Sequence, residues 1–455
     1  MPKRKGGNRQ APKGQNKLKQ EALHKREKAA AVLKGLQSEG SGEEILIDGS
    51  LKEGGGQILR NTFALSGILK RPIRVVNIRA NRSKGGLRPQ HLTGLLLVTD
   101  LYKGVLSGGQ VNSTEVSFYA GDFVEKDRFY ADIQTAGSIG LLIQISLPCL
   151  IYAPRPTVSI LKGGTNALNA PQVDYTMLVF RPIVQRMGLN FDVALQMRGF
   201  YPRGGGCVEL HCTPLAAEET LSPLVMLERG DISKVHIRTF VSGKIPLHVP
   251  ETMCKVSKRA IRSYLKDHER KVEITEEVVQ ETEETAFGDG TGLIIIATTT
   301  TGCILAGSAL GERGKKSEAV AEEAVAGLIH NLSYGGCVDE YLQDQLIIWM
   351  ALASGLSRIK TGPLTLHTET SIHFTQLMTG AVFTVTEEAA SQRKHGEQTF
   401  IIECQGIGLT PAASWNAAEE RRKLQQQSEA ATQTEEKENN DEEEEEGEEG
   451  EEKET

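Results

Sequence analysis

The chain has 455 residues, 39% hydrophobic and 24% charged, with 47 glycines and a net charge of -7. That length exceeds one small domain, and the composition suits a glycine-punctuated soluble α/β or α+β protein. Aromatic residues make up only 5%, which argues against the stacking platforms of many single-strand RNA binders, and no apolar run reaches the length of a membrane-spanning helix.

The charge is unevenly spread. Residues 1–38 carry eleven Lys/Arg against two Glu, a net of +9, and residues 431–455 carry fourteen acids against two Lys, a net of -12. The middle is close to balanced, so its bulk field is not that of a general nucleic-acid binder. Residues 1–43 read as a basic arm, helical from Lys17 to Leu36, whose Lys3-Arg4-Lys5 is either a nuclear import signal or part of a solvated tail. Residues 412–455 are Glu/Gln-rich and cannot bury a core, so they read as a disordered acidic tail.

Between the tails, strands and helices alternate. "EILIDGS" predicts a strand, "GGGQILRNTFALSGILK" an amphipathic helix, "IRVVNIRA" a strand, "PQHLTGLLLVTDLYK" a helix with Pro in its first turn, and "STEVSFYA" a strand. The order recurs through "FYADI", the helix "AGSIGLLIQISLPCLI", "TVSILK", the helix "PQVDYTMLVFRPIVQRMG", "NFDVALQMRG" and "GCVELHCTP". A third, partial copy runs through "YLQDQLIIWMALASG", "LTLHT", "SIHFTQLMTG", "AVFTVTEE" and "TFIIECQG". In this reading "LTLHT" is a short strand that ends near His367. The expected class is α+β. Three repeated β-α-β-α-β-β units form a large domain over 44–223 and 333–411, and a smaller α/β domain is inserted at 224–332. The insert reads β-α-β-β-β-α, with "TEEVVQETEETAFGDGTG" as a loop inside it.

The seven cysteines (149, 207, 212, 254, 303, 337 and 404) form no CxxC pair and no zinc spacing. They sit mostly in apolar runs and read as small buried hydrophobes of a reducing compartment. Glycine-rich turns open several helices, at 52–60, 135–140 and 161–172. Such turns either admit an anion to a helix N-terminus or simply make tight bends. None matches a P-loop or a dinucleotide fingerprint.

Arg79, Arg82, Lys84, Arg88 and His91 cluster on a strand end, loop and helix start, either as a phosphate pocket or as a solvated loop. Arg198 and Arg203 flank another glycine run in "RGFYPRGGG" and fit phosphate or RNA backbone contact. Tyr341, Asp344 and Gln345 share a helix face, where acidic capping is the plainer account. For His367, a packed histidine stands beside a nucleophile or acid/base near phosphates. The absence of HExxH and GxSxG motifs disfavours a metal ligand or a serine triad.

The collinear segments "DGSLKEGGGQILR", "GLRPQHLTGL", "TAGSIGLLIQ", "KGGTNALNAPQVDYT", "GFYPRGGG", "AFGDGTG", "VDEYLQDQLIIWMALASG" and "TGPLTLHTET" resemble the RNA 3'-terminal phosphate cyclases, from about residue 44 to 411. The resemblance implies repeated units like the C-terminal domain of a bacterial translation initiation factor. It also implies ATP-dependent cyclisation of an RNA 3'-terminal phosphate through an adenylyl-histidine at His367 and an RNA-3'-pp-5'A end.

By the same resemblance Gln144, Pro171, Tyr341, Asp344 and Gln345 line the ATP site. Glu53 lies at the metal (Mg2+ or Mn2+), and Arg60, Arg79, Arg82 and His91 line the pocket for the phosphate and RNA end. A branch of this family lacks the histidine and serves ribosomal RNA processing, so the alternative is an assembly factor without turnover. His367 in its intact "LHTET" favours the enzyme. The RNA substrate and the basic arm lead to an expectation of nuclear residence, with cytoplasm as a second compartment.

Overall fold

The computed structural model describes residues 44–267, 272–389 and 398–417. The basic arm and nearly all of the acidic tail lie outside these residues.

The first unit runs β1 (Ile45–Asp48), α1 (Gly56–Leu69), β2 (Ile73–Val76), α2 (Pro89–Leu101), β3 (Val105–Ser107) and β4 (Val116–Tyr119), with sheet order β1-β2-β4-β3. The second runs β5 (Arg128–Asp132), α3 (Ile139–Ile151), β6 (Thr157–Gly163), the short turns α4 (Val173–Tyr175) and α5 (Arg181–Val184), β7 (Asn190–Gly199) and β8 (Gly206–Thr213). The third begins with β9 (Val225–Met226). A four-stranded insert follows, made of β10 (Ile232–Ser242), α6 (His248–Tyr264), β11 (Glu273–Gln280), β13 (Gly290–Thr299), β14 (Ile304–Leu310) and α7 (Ser317–Ser333). The unit then resumes with α8 (Glu340–Leu352), β15 (Ser354–Thr361), α9 (Leu366–Thr379), β16 (Val382–Glu387) and β17 (Phe400–Ile407).

Each unit pairs its strands identically. First and second run parallel, and the fourth lies antiparallel to both the second and the third. A parallel pair needs a crossover, and the first helix of each unit supplies it. The helices meet between the sheets, α1 packing on α3 and α9, and α9 on α8. Apolar residues of α3 such as Leu142, Ile143, Leu147 and Leu150 are fully buried, as a helix enclosed on all sides requires.

Several expectations need correction. Val225–Met226, placed in the insert from sequence, pairs parallel with β15 and opens the third unit. The loop reading of 275–292 fails at both ends: β11 continues to Gln280, and β12 (Ala286–Phe287) pairs with β7 and returns the insert's chain to the second sheet. The helix expected over 171–188 breaks into α4, a π turn over Thr176–Phe180, α5 and a 3-10 turn, because Pro182 has no N–H to continue an α ladder.

The tail begins later than 412. Residues 411–417 are helical, Ser414 is buried and donates to the Ile68 carbonyl at 2.7 Å, and Trp415 Nε1 donates to the Tyr152 carbonyl at 2.8 Å. Those contacts satisfy polar groups that a free tail would leave to water.

"LTLHT" is not a strand. Thr365 caps α9, its hydroxyl accepting from Thr368 N–H, so His367 stands in the first helical turn.

Candidate active site

The site grows from the turn before α1. Gly54 is left-handed at φ 59°, which swings Glu53 back over the chain. A Cβ at Gly55 would lie 2.0 Å from the Glu53 carboxylate, and one at Gly56 would lie 2.6 Å from His91 Nε2. The glycines therefore let both side chains approach the N-terminus of α1. That helix has no side-chain cap and no acid in its first turn. Its uncapped first-turn amides and dipole favour an anion.

The cations around it differ in what they do. Arg60 lies against Gly56, and burial lowers its proton affinity while Asp344 and Glu53 oppose that. Arg82 forms an ion pair with Glu53 Oε1. Arg79 holds the loop by donating to the carbonyls of Lys84 (2.7 Å) and Gly86 (2.9 Å).

His91 Nδ1 accepts from the Arg88 N–H at 3.1 Å, and burial together with Arg79, Arg60 and Arg88 pushes its pKa down to about 3. A backbone N–H can only donate, so Nε2 carries the proton of a neutral ring. His91 thus presents a donor, not a base.

His367 is joined to this corner by a relay. Its Nδ1 lies 2.7 Å from Gln57 Oε1, and Gln57 Nε2 donates to Asp344 Oδ2 at 2.7 Å. The Asp344 carboxylate fixes the amide orientation, and the amide oxygen fixes the proton on Nδ1, so the Nε2 lone pair is free. Burial lowers the pKa of His367; Glu53 opposes this, and Arg60 and Arg82 reinforce it. Burial pushes the Asp344 carboxyl up to about 7 against Arg60 and Gln57.

The turn that delivers His367 is organised by buried Gln343. Its Oε1 accepts from Thr365 N–H (3.0 Å) and from the Thr368 hydroxyl, and its Nε2 donates to the Thr361 hydroxyl. Thr370 accepts from Glu53 N–H at 3.1 Å, and Asn61 Nδ2 donates to Ser371 at 2.8 Å. The first and third units are stitched across the site.

The other expected residues lie around the same junction. Gln144 is the only polar residue of α3 besides Ser146, and it lines one small cavity with Gln57, Asp344 and Gln345. Gln345 Nε2 donates to the Tyr341 carbonyl at 2.6 Å. Half-exposed Tyr341 meets the buried Tyr175 ring edge-on at 5.9 Å. Pro171 lies beside the start of α3, its carbonyl 3.2 Å from where a Gly140 Cβ would be.

Arg198 does not join them. It is fully buried, paired bidentately with Asp174 (2.7 and 2.8 Å) and with Glu281 (2.6 Å), under the Phe240 ring. Its charge is spent inside the protein, which removes it from the phosphate-contact reading; Arg203 stays exposed. Gln57 and Gln343 were missed from sequence, although a polar amide beside buried apolar neighbours near a helix start was the available signal.

A model of the family described as RNA 3'-terminal phosphate cyclase matches residues 51–385. The chain belongs to that family. It is 44% identical over 372 residues to a probable RNA 3'-terminal phosphate cyclase of Dictyostelium discoideum, covering 81% of this chain and 84% of that protein. It is 36% identical over 362 residues to an RNA 3'-terminal phosphate cyclase of Drosophila melanogaster (80% and 96%), and 36% over 342 residues to one of Pyrococcus furiosus (75% and 95%). The family match thus takes in the second unit, the insert and most of the first and third units, stopping short of β1 and β17, and leaves both charged tails outside.

The divalent ion implied by the family can be tested against Glu53. Its Oε2 is buried with no hydrogen-bond partner, an orphaned anionic oxygen that suits a hard cation. Among the described residues no group of three or more His, Cys, Asp or Glu could hold a metal ion. The fit is therefore to an ion completed by substrate phosphates and water, as magnesium sites commonly are.

Proposed function

We propose that the protein uses ATP to convert an RNA 3'-terminal phosphate into a 2',3'-cyclic phosphate, through an adenylyl group carried on His367. The observation that carries this reading is the His367–Gln57–Asp344 relay, which places the proton on Nδ1 and leaves Nε2 unprotonated, in the field of Arg60 and Arg82.

In the first step Nε2 attacks the α-phosphorus, the N–P bond forms, and the bond to pyrophosphate breaks. The ring keeps its Nδ1 proton and becomes cationic, and Gln57 Oε1 accepts from that N–H more strongly as the charge develops. In the second step an oxygen of the RNA 3'-phosphate attacks the same phosphorus and the imidazole departs neutral. In the third, the 2'-hydroxyl attacks the 3'-phosphorus and gives its proton to solvent water, the new O–P bond forms, and the bond to AMP breaks.

Arg60, Arg82 and the His91 Nε2–H serve as donors to phosphate oxygens around the N-terminus of α1. Gln144, Pro171, Tyr341 and Gln345 line the adenosine side. Glu53 would hold the divalent ion, which when bound neutralises phosphate charge.

The test is incubation with ATP labelled at the α-phosphate and a divalent metal, followed by a denaturing gel. Label on the parent, absent from His367→Asn and discharged by RNA ending in a 3'-phosphate, is the expected result. A parent that takes up no label with any metal refutes the reading in favour of a non-catalytic RNA-processing role.

A further inference from the structure

Asp339 has no place in the chemistry above, yet it is fully buried and every visible demand on it is met. Its Oδ1 accepts from the Tyr175 hydroxyl (2.5 Å) and from the backbone N–H groups of Tyr341 (3.1 Å) and Leu342 (2.9 Å). Its Oδ2 accepts from the Ala306 N–H at 2.8 Å.

These partners belong to different parts of the molecule. Tyr175 ends α4 of the second unit, Tyr341 and Leu342 open α8 of the third, and Ala306 lies on β14, the edge strand of the inserted sheet. An edge strand offers unpaired N–H groups, and here one of them is taken by a single side chain. The carboxylate is also the N-cap of α8. The next residue along is served separately, Glu340 N–H donating to Asn331 at the end of α7.

The first turn of α8 is therefore positioned by the insert and the second unit, not by the helix's own sequence alone. Tyr341 lies in that turn, and Asp344 and Gln345 in the next.

We propose that Asp339 is a positioning residue for the nucleotide site: it transmits the placement of the inserted sheet and of Tyr175 to the first turn of α8, and so sets where Tyr341 and Gln345 meet ATP. The inference rests on the nucleotide-site reading above. It gives the insert a role in that site although none of the expected ATP-site residues lies in it.

Asp339→Asn separates the two sides of the clamp. Its amide oxygen can keep the Tyr175, Tyr341 and Leu342 donors, while its NH2 faces the Ala306 N–H, donor against donor. Tyr175→Phe removes one bond and leaves the carboxylate in place, which provides a milder variant should Asp339→Asn fold poorly.

Equilibrium dialysis with ATP gives Kd for the full-length parent and both variants, and labelling at saturating ATP gives the limiting rate. The expected result is a Kd raised at least tenfold in Asp339→Asn and about threefold in Tyr175→Phe, with limiting rates within threefold of the parent. Kd values within twofold of the parent in both variants, with only the unfolding midpoint lowered, would show Asp339 to be structural cement and overturn the proposal. A parent that binds ATP but takes up no label sinks the catalytic reading alone, and the Kd values still decide the clamp.

Discussion

Replacing Gln57 with Leu isolates the relay. The side chain is buried and makes two bonds of 2.7 Å, one to His367 Nδ1 and one to Asp344. In the ground state the bond to a neutral imidazole is worth about 1 kcal/mol net. On adenylylation the ring becomes cationic and the same bond becomes charge-assisted, about 1.5–3 kcal/mol. Only that increase accelerates the step. To it must be added the cost of a ring no longer held with Nδ1 protonated and Nε2 aimed at phosphorus. Together these amount to about 2–3 kcal/mol, or roughly 30- to 150-fold in rate.

The measurement is single-turnover uptake of α-labelled ATP at saturating nucleotide, with a thermal melt alongside. A slow variant with a cooperative melt near the parent's supports the relay. A rate within threefold of the parent would show that Nε2 needs no such orientation and that Gln57 merely fills space between α1 and α8.

Arg82→Ala tests the electrostatics by pH. Attack needs unprotonated His367, and Arg82 helps lower its pKa, so the parent's labelling rate should fall only below the ordinary histidine value of about 6.5. Without Arg82 the acid limb should move to higher pH; an unmoved or lower limb counts against the assignment. Asp344→Asn should trade activity for stability. In the folded protein this carboxyl is pushed up to about 7 from 3.8, so between those values the folded state holds more protons and the parent loses stability as pH rises. The variant should lack that loss, melting about 2–5 °C above the parent at pH 8 but not at pH 4; equal shifts at both would refute it. Arg198→Met leaves buried Asp174 and partly buried Glu281 with less compensation. Chemical denaturation should show a loss of about 3–5 kcal/mol, and under 1 kcal/mol would mean that the network rearranges.

Much of this architecture could be read in the sequence because each unit repeats one order of elements, and repetition survives errors at single boundaries. What failed had local causes or distant partners. Leu364, Thr365 and Leu366 alternate like a strand, but Thr365 is a cap, and a hydroxyl three residues before a backbone donor overrode the period of two. Val105–Ser107 is too short to carry a pattern at all. Arg198 sits in a basic, glycine-rich stretch that reads as an anion site, and its neutralising partners lie 24 and 83 residues away in Asp174 and Glu281.

The candidate site showed the same division. Arg79, Arg82 and His91 cluster visibly in the sequence, and Glu53, Arg60, Asp344 and His367 take their roles from the family resemblance, whereas Gln57 and Gln343 are singled out by neither charge nor resemblance. Their importance lies in being buried between charged or hydroxyl neighbours supplied by other helices.

The relay also explains why the site sits where the units meet. His367 is carried by α9, Gln57 by α1 and Asp344 by α8, so the bonds that tune the histidine are bonds between units. Glu53 to Thr370, Asn61 to Ser371 and Lys52 to Glu369 run across the same seam. A repeated unit alone can offer a helix N-terminus to an anion, but it cannot supply an oriented imidazole, because the group that orients it comes from the copy next door. Divergence among the copies is thus what the proposed chemistry requires: the first unit keeps glycines and cations at its helix start, the second brings Gln144 into the cavity shared with Gln57, Asp344 and Gln345, and the third provides the histidine on a threonine-capped turn held by Gln343. Symmetry of fold gives the seam, and asymmetry of side chains makes it a site.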